Sequence, residues 1–559
     1  MKRAGQLSRA TKGRASATLI MIAGFTGAQA VEIDSGNPDL TLRFDNTVKY
    51  SAAARLKGVN NEVAGGPGSS NPNTSLDDGD RNFAKGVISN RLDLLSEFDA
   101  KYKDVGLRMS GAAWYDEIYN RDNHNDSPST VNSISVDANE FTSATKKLHG
   151  REAEVLDAFV FGKASFGETN VNVRAGRFTQ LYGESLFFGA NGVAAAQATV
   201  DIVKLLSVPN SQFKEILRPV EQISSSVQFS KDLSIGGYYQ WKWHKARLPA
   251  AGSYFSFADF ADDGGERLIV DAPPPGFGGP LAFYRGDDLK ARNSGEFGGQ
   301  VRYKLADYDL GLYAAQFHDK LPQFYLRPSA APDPATGQIG QYVLVYAEGI
   351  RTYGASASTV IGETNVAAEV SIRKNTPLNA TGNIVLDATS TGDGRNNPLY
   401  PVGNSFHAQV SAISVLPATA LWEGASFIGE VAFNRRLSVS RNADQLDPHT
   451  TRDASALRFV FQPEYFQVIS QMDVQVPIGV GYGISGVSSV MRPGVFPAEH
   501  GGDLNVGLNF DYEKKWSGSL SFTHYFGRAG AVVNSQLQLS GDQYLKDRDF
   551  IALSLQRTF

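Results

Sequence analysis

The residues best suited to catalysis in this sequence are its eight histidines, His124, His149, His244, His318, His407, His449, His500 and His524. A surface hydrolase needs a serine, or a water activated by an aspartate, beside a histidine. None of the eight stands at a spacing that brings such a partner alongside, and HExxH, GxSxG and phosphate-loop patterns do not occur. The acidic run Asp77-Asp78-Gly79-Asp80 has the composition of a calcium loop without the ligand spacing of an EF-hand, so it reads as a solvated outer loop. The expectation is therefore no enzyme, no metal and no cofactor.

Chemistry of another kind is concentrated between residues 184 and 219. Glu184, Lys204, Lys214, Glu215 and Arg218 are ionisable there, and Leu186, Phe187, Phe188, Leu205 and Leu206 are large and apolar. Such a mixture suits either a greasy route for a molecule or plain packing against a wall. The charges are expected to pair with Arg43, Arg91, Asp93, Glu97, Arg108 and Arg174, which fall on the polar faces of neighbouring strands. Those same wall charges also suit a hydrated lumen with no further role.

The stretch stands out because its surroundings alternate apolar and polar residues and it does not. It is Ala-rich, the spacing of Phe213, Ile216 and Leu217 fits short helical turns, and Pro209 and Pro219 punctuate it. Elsewhere the period is two. Leu40, Leu42, Phe44, Val48, Tyr50, Ala52 and Ala54 face one way, with Arg43, Asp45, Thr47 and Lys49 opposite. Leu504, Val506, Leu508, Phe510 and Tyr512 repeat the pattern near the end, and Ile551, Leu553, Leu555, Arg557 and Phe559 close it. Strand pairs are expected across turns near 103–104, 167–168, 231–232, 306–307, 362–363, 417–422, 464–467 and 514–515, with long polar connections at 120–150, 246–288, 376–400 and 527–546.

Short turns at one end and long loops at the other predict an all-β fold, a transmembrane antiparallel β-barrel of about 16–18 strands. Residues 184–219 arrive where a long loop belongs, after the fifth strand. They are expected to fold inward as a partly helical constriction, the alternatives being a surface cap or a lipid-side helix. Tyr50, Tyr102, Trp114, Trp241, Trp243 and Trp516 are read as interfacial girdles.

Lys2, Arg3, Arg9, Lys12 and Arg14 precede an apolar run and the small-residue site Ala28-Gln29-Ala30, the arrangement of a secretory signal. Residues 1–30 are thus expected to be removed, leaving 31–559 as a single barrel domain. Loss of five positive charges takes the formal net charge from −5 to −10. With no cysteine and no basic excess, a disulfide scaffold and a nucleic-acid binder are excluded.

The hairpin NRLDLLSEFDAKYKDVGLRMSGAAWYDEIYN at 90–120, GREAEVLDAFVFG from Gly150, RAGR at 174–177, GESLFF from Gly183 and KLLSVPNSQFKEIL from Lys204 resemble the family named domain of unknown function 1302, outer-membrane proteins of Gram-negative bacteria. The resemblance runs from about Leu40 to Phe559. It implies envelope transport of poorly soluble compounds alongside a second envelope protein and an RND-type exporter, and it implies no catalytic residue. The leading expectation is an outer-membrane channel or transporter for small hydrophobic or amphipathic molecules, bedded in outer-membrane lipid and lipopolysaccharide and acting without chemistry. A porin for polar solutes, a lipid or peptide hydrolase and a structural barrel are the alternatives.

Overall fold

The computed structural model describes residues 31–65, 74–208 and 213–559; the basic leader and Pro209 lie outside the described residues. Each alternating segment forms a strand, because alternation gives it one face that must avoid water and one that need not. Eighteen strands join in chain order into one closed antiparallel barrel. They are β1 (Leu40–Arg55), β2 (Gly86–Tyr102), β3 (Val105–Asp116), β4 (Arg151–Phe166), β5 (Thr169–Phe178) and β6 (Val220–Gln228). Next come β7 (Leu233–Gln240), β8 (Glu296–Leu305), β9 (Tyr308–Phe317), β10 (Ile350–Ile361), β11 (Thr364–Pro377) and β12 (Val402–Leu416). The wall finishes with β13 (Gly424–Arg441), β14 (Asp453–Ile469), β15 (Met472–Gln475 with Ile478–Ser485), β16 (Gly502–Tyr512), β17 (Trp516–Phe526) and β18 (Phe550–Thr558). Pro477, which has no N–H to give, stands in the break of β15.

Closure joins β1 to β18, from Thr47 opposite Thr558 to Arg55 opposite Phe550. Phe559 and Asn46 then exchange two backbone hydrogen bonds of 2.7 and 2.8 Å. Leu312, Val360 and Val415, 63, 64 and 64 % exposed on the outside, are side chains that lipid rather than water should cover. Among the described residues no helix is long and apolar enough to cross a membrane.

Seven of the eight expected turns are found, but residues 464–467 lie inside β14 and the reversal comes at Ser470-Gln471. The sequence reading stopped the strand where alternation weakens. The girdle assignment also needs correction. Tyr50 and Tyr102 are exposed on the outside, and Trp516 lies under the Arg557 guanidinium at 5.0 Å. Trp114 and Trp243 are instead buried, Trp114 donating to the carbonyl of Leu148 (3.1 Å) and Trp243 packing edge-on to Tyr346.

At the opposite end from the short turns the long loops pack on one another. Arg267–Asp271, Leu281–Arg285, Gln323–Pro328, Gln338–Val345 and Ile384–Leu386 make a five-stranded sheet there. Phe83, Tyr119, Phe141, Tyr254, Phe255 and Phe550 form an aromatic core beneath the loops. His149 stacks on Tyr119 at 4.8 Å, and burial pushes its imidazole down to about 3, so it is neutral.

A buried ion network ties the seam of the barrel to these loops. Arg55, at the end of β1, reaches Asp80 (2.8 Å) and Asp547 (3.2 Å), and Arg548 reaches Asp80 (2.6 Å). Both guanidiniums lie against the ring of Tyr254, at 5.8 and 5.6 Å. Burial opposes the charge on Asp80, yet Arg548 and Arg55 hold its carboxyl below the usual range. Removing one partner leaves a buried charge uncompensated, which costs about 3–5 kcal/mol. Asp80→Asn is therefore expected to lower markedly the temperature at which the folded barrel shifts to the unfolded mobility in SDS gels. Arg435→Met, which removes an exposed pair with Asp453 (2.6 Å), should leave that temperature unchanged. Equal effects from the two would show that the network does not tie the seam.

Candidate functional site: an inserted segment and its chamber

The connection 179–219 leaves from β5 and returns to β6, whose bases pair at Phe178 and Val220. Between those points it does not stay outside. Its described residues touch inward-facing residues of β4, β7, β8, β11, β12 and β13, and so occupy the lumen. Having left the sheet, its backbone needs partners, and buried side chains on the wall supply them.

Glu430 on β13 accepts from the amides of Leu186 (3.3 Å), Phe187 (2.5 Å) and Phe188 (2.7 Å) and from the hydroxyl of Ser185 (3.1 Å). Glu369 on β11 accepts from the amides of Glu184 (2.8 Å) and Val193 (2.7 Å). A Cβ on Gly183 or Gly192 would collide with that carboxylate, so glycine is what allows the approach. Arg373, four residues along β11, donates to the carbonyls of Ala190 (2.8 Å) and Gly192 (2.7 Å). Carboxylates thus meet N–H groups and the guanidinium meets C=O groups.

The second half of the segment is pinned from the other side. Asp201 caps the helix α1 (Ile202–Ser207) by accepting from the amide of Lys204 (2.9 Å). Asp201 also pairs with Arg247 of the 241–295 loop (2.9 Å), which pairs with Glu154 on β4 (2.6 Å), which in turn holds Arg218 (3.2 Å). The guanidiniums of Arg91 (5.0 Å) and Arg247 (5.6 Å) both lie over the Trp114 ring.

The charges named from sequence are therefore in the right region with the wrong partners. Glu184 pairs with Arg302 on β8 (2.9 Å), Arg218 with Glu154, and Lys204 donates to the carbonyl of Glu215 (2.6 Å). The side chain of Lys214 lies outside the described residues. Most of the expected wall partners pair with carboxylates of the wall instead. Arg43 pairs with Asp45 (2.5 Å), Arg91 with Asp93 (2.7 Å), and Arg108 with Glu97 and Asp99. Arg174 lies 6.0 Å from the Phe159 ring. The physical reason is reach: an arginine two positions from a carboxylate on the same strand face, or directly across from one, finds it before anything in the lumen. Glu369, Arg373, Glu430, Arg302 and Glu154 were missed. Their signal was a charge on the inward face of a strand, for all but Glu154 on strands beyond the fifth.

Phe187, Phe188, Leu205 and Leu206 do converge, on a cavity of about 210 Å³; Leu186 is not among its walls. The segment contributes the floor, with Ala195, Ala198, Phe213 and Ile216, and the long loops contribute Leu248, Phe257, Phe324, Met491 and Val533. A few polar groups interrupt this lining: Asp319, Lys320, Arg373, Thr376 and Arg492. Arg492 is held by Asn379 (2.6 Å) and Asp319 (3.6 Å), and burial pulls its guanidinium below its ordinary range. A second cavity of about 130 Å³ shares Phe187, Phe188, Leu205 and Leu206 and extends to Arg458, Asp503 and Thr523 on the wall.

Two expectations about reactive groups need correction. His407 does meet a serine: its Nε2 is 2.8 Å from Ser405 Oγ and its Nδ1 is 3.0 Å from Asn191 Oδ1. The order is that of nucleophile, base and orienting group, and residues i and i+2 of a strand share a face, so the pairing was readable. Ser405, His407 and Asn191 are 0, 1 and 0 % exposed and line neither cavity, and their bonds fasten the segment to β12. The acidic run, expected to be solvated, is buried and divided. Asp80 joins the seam network, whereas Asp77 and Asp78 turn toward Asp259 of the 241–295 loop. Burial, with repulsion from Asp78, pushes the Asp77 carboxyl up to about 7, and burial pushes Asp78 up to about 6.

Comparison with curated proteins gave no match. Among solved structures the chain is similar to Acinetobacter baumannii OccAB4, at 9 % identity and a TM-score of 0.42, covering 95 % of this chain and 99 % of the other. It is similar also to Pseudomonas aeruginosa OpdK, solved with vanillate (10 %, 0.40, covering 93 and 98 %), and to OmpT, an outer membrane protein of Vibrio cholerae (9 %, 0.36, covering 95 and 100 %). The model of the protein family of unknown function DUF1302 matches residues 12–559, and the chain belongs to that family.

Proposed function

We propose that this protein lies in the bacterial outer membrane and passes small hydrophobic or amphipathic molecules through its barrel without chemistry. The observation that carries this reading is the chamber of about 210 Å³ between the inserted segment and the long loops, apolar on nearly every side. A wall strand must be polar inward only if water fills the lumen. Here the chain places Phe187, Phe188, Leu205 and Phe213 in the middle of a polar bore, which suits a greasy solute better than a hydrated ion. Arg373, Arg492 and Lys320 at the edge of the chamber suit the polar end of an amphipathic solute. Export and import fit the geometry equally. The secretory leader supports delivery to the outer membrane, and the family resemblance adds a periplasmic partner and an RND-type exporter as the source of energy. A hydrolase is the second reading, favoured only by the line Ser405, His407 and Asn191.

Three measurements test these readings. In planar bilayers the refolded protein is expected to conduct ions poorly, and removal of 184–219 to open it. Large steady conductance of the intact barrel would favour a porin for polar solutes. Glu430→Ala removes the acceptor of four donors, each worth about 1.5–3 kcal/mol when charge-assisted, and should raise the open fraction at least about tenfold. Ala195→Phe fills the chamber, where overpacking costs about 1–3 kcal/mol, and is expected to cut flux of a hydrophobic fluorescent probe into proteoliposomes about tenfold. Unchanged flux would remove the chamber from the path. Ser405→Ala is expected to leave flux as it is; ester hydrolysis by the wild type that disappears in this variant would establish the hydrolase instead.

A further inference from the structure

Asp77, Asp78 and Asp259 come from two long loops and are 0, 6 and 2 % exposed. One carboxylate oxygen from each lies within 4.8 Å of the other two. Most of their lone pairs are accounted for. Asp259 Oδ2 accepts from the amides of Asp77 (2.7 Å) and Asp78 (3.1 Å), Asp78 accepts from Asn125 (3.2 Å) and the amide of Asn132 (3.0 Å), and Asp77 Oδ2 accepts from Arg81 (2.5 Å) and Thr130 (2.9 Å). Two oxygens are left over: Asp77 Oδ1 and Asp259 Oδ1 are buried and bonded to nothing. Asp259 and Asp78 together line a cavity of about 20 Å³, room for a single water or a bare ion.

Charge points the same way. Arg81 serves Asp77 but is shared with Asp126, and Arg267, the other cation nearby, gives its hydrogen bond to the carbonyl of Val131. Three buried carboxylates face at most two partly committed guanidiniums. Asp80, two residues on, has Arg55 and Arg548 to itself and Asp547, which makes the deficit local to the trio. Ca²⁺ takes carboxylate oxygens at about 2.3–2.6 Å, so oxygens spread over 4.8 Å can meet on one ion. An all-oxygen, carboxylate-rich set with no histidine or cysteine suits a hard cation rather than a transition metal.

We propose that Asp77, Asp78 and Asp259 bind one Ca²⁺ ion, which clamps residues 74–85 to the 241–295 loop. None of the three aspartates lines the chamber, and the proposal does not depend on what the chamber carries.

The test uses the full chain refolded in detergent free of lipopolysaccharide, so that lipid cannot bind the metal. After chelation, calorimetric titration with CaCl₂ is expected to show one site per chain, with a dissociation constant on the order of 10⁻⁴–10⁻³ M as in extracellular calcium modules. Added Ca²⁺ should also raise the temperature of the gel-mobility transition and slow protease cleavage of the two loops. Asp259→Asn and Asp77→Asn are each expected to abolish both increments, and Glu97→Gln, a lumenal carboxylate, to keep them. The proposal is overturned if the wild type binds no Ca²⁺ at millimolar concentration, or if the increment persists in both aspartate variants. It is overturned too if Asp259→Asn alone makes the metal-free protein as stable as the wild type in Ca²⁺ and the wild type does not respond to the ion, the behaviour of a shared proton. Should both variants fail to fold, the wild-type titration and the protease protection still decide.

Discussion

An unpaired backbone N–H or C=O in hydrocarbon costs several kcal/mol, and this one cost shapes the molecule at two levels. It forces the wall to close, β1 against β18, since any open edge would leave a row of such groups in lipid. It then governs what can be put inside. A segment that leaves the sheet loses its ladder partners, and in a lumen filled with side chains water cannot replace them everywhere. Glu430, Glu369 and Arg373 act as substitutes for a neighbouring strand, the two carboxylates taking amides and the guanidinium taking carbonyls.

That substitution explains why buried charges occur on strands whose inward faces otherwise carry small or neutral residues. A carboxylate that accepts several amides has its desolvation offset by charge-assisted hydrogen bonds. It also fixes the segment in one position, because the amides of Leu186, Phe187 and Phe188 converge on a single side chain. The apolar side chains of Phe187 and Phe188 thereby line the chamber, Phe188 packing also on Ala432 and Ala456 of the wall. The polar anchor and the greasy surface are two faces of the same few residues.

Period-two alternation was enough to read the barrel, its strand count to within the stated range and all but one of its turns. The break in that alternation at 184–219 was enough to read the inserted segment. Partners across the lumen were not readable. Which strand faces Glu184 depends on the stagger of the whole barrel, a quantity that no local pattern carries, and so Arg302 was not foreseen. The burial of Asp77 and Asp78 was hidden for a related reason: an acidic loop is solvated unless another loop folds over it, and the 241–295 loop does. The pairing of Ser405 with His407 is different, since it lies within one strand and required only that the shared face be noticed.

The inserted segment begins and ends on adjacent strands, β5 and β6, whose bases are already paired at Phe178 and Val220. Every wall hydrogen bond can therefore form with the segment elsewhere. In assembly terms the barrel can be completed as an open cylinder and the segment can dock last, threading nothing. Mechanically it is a loop with both cords at one point on the rim, so that its seating and the integrity of the cylinder are separate matters.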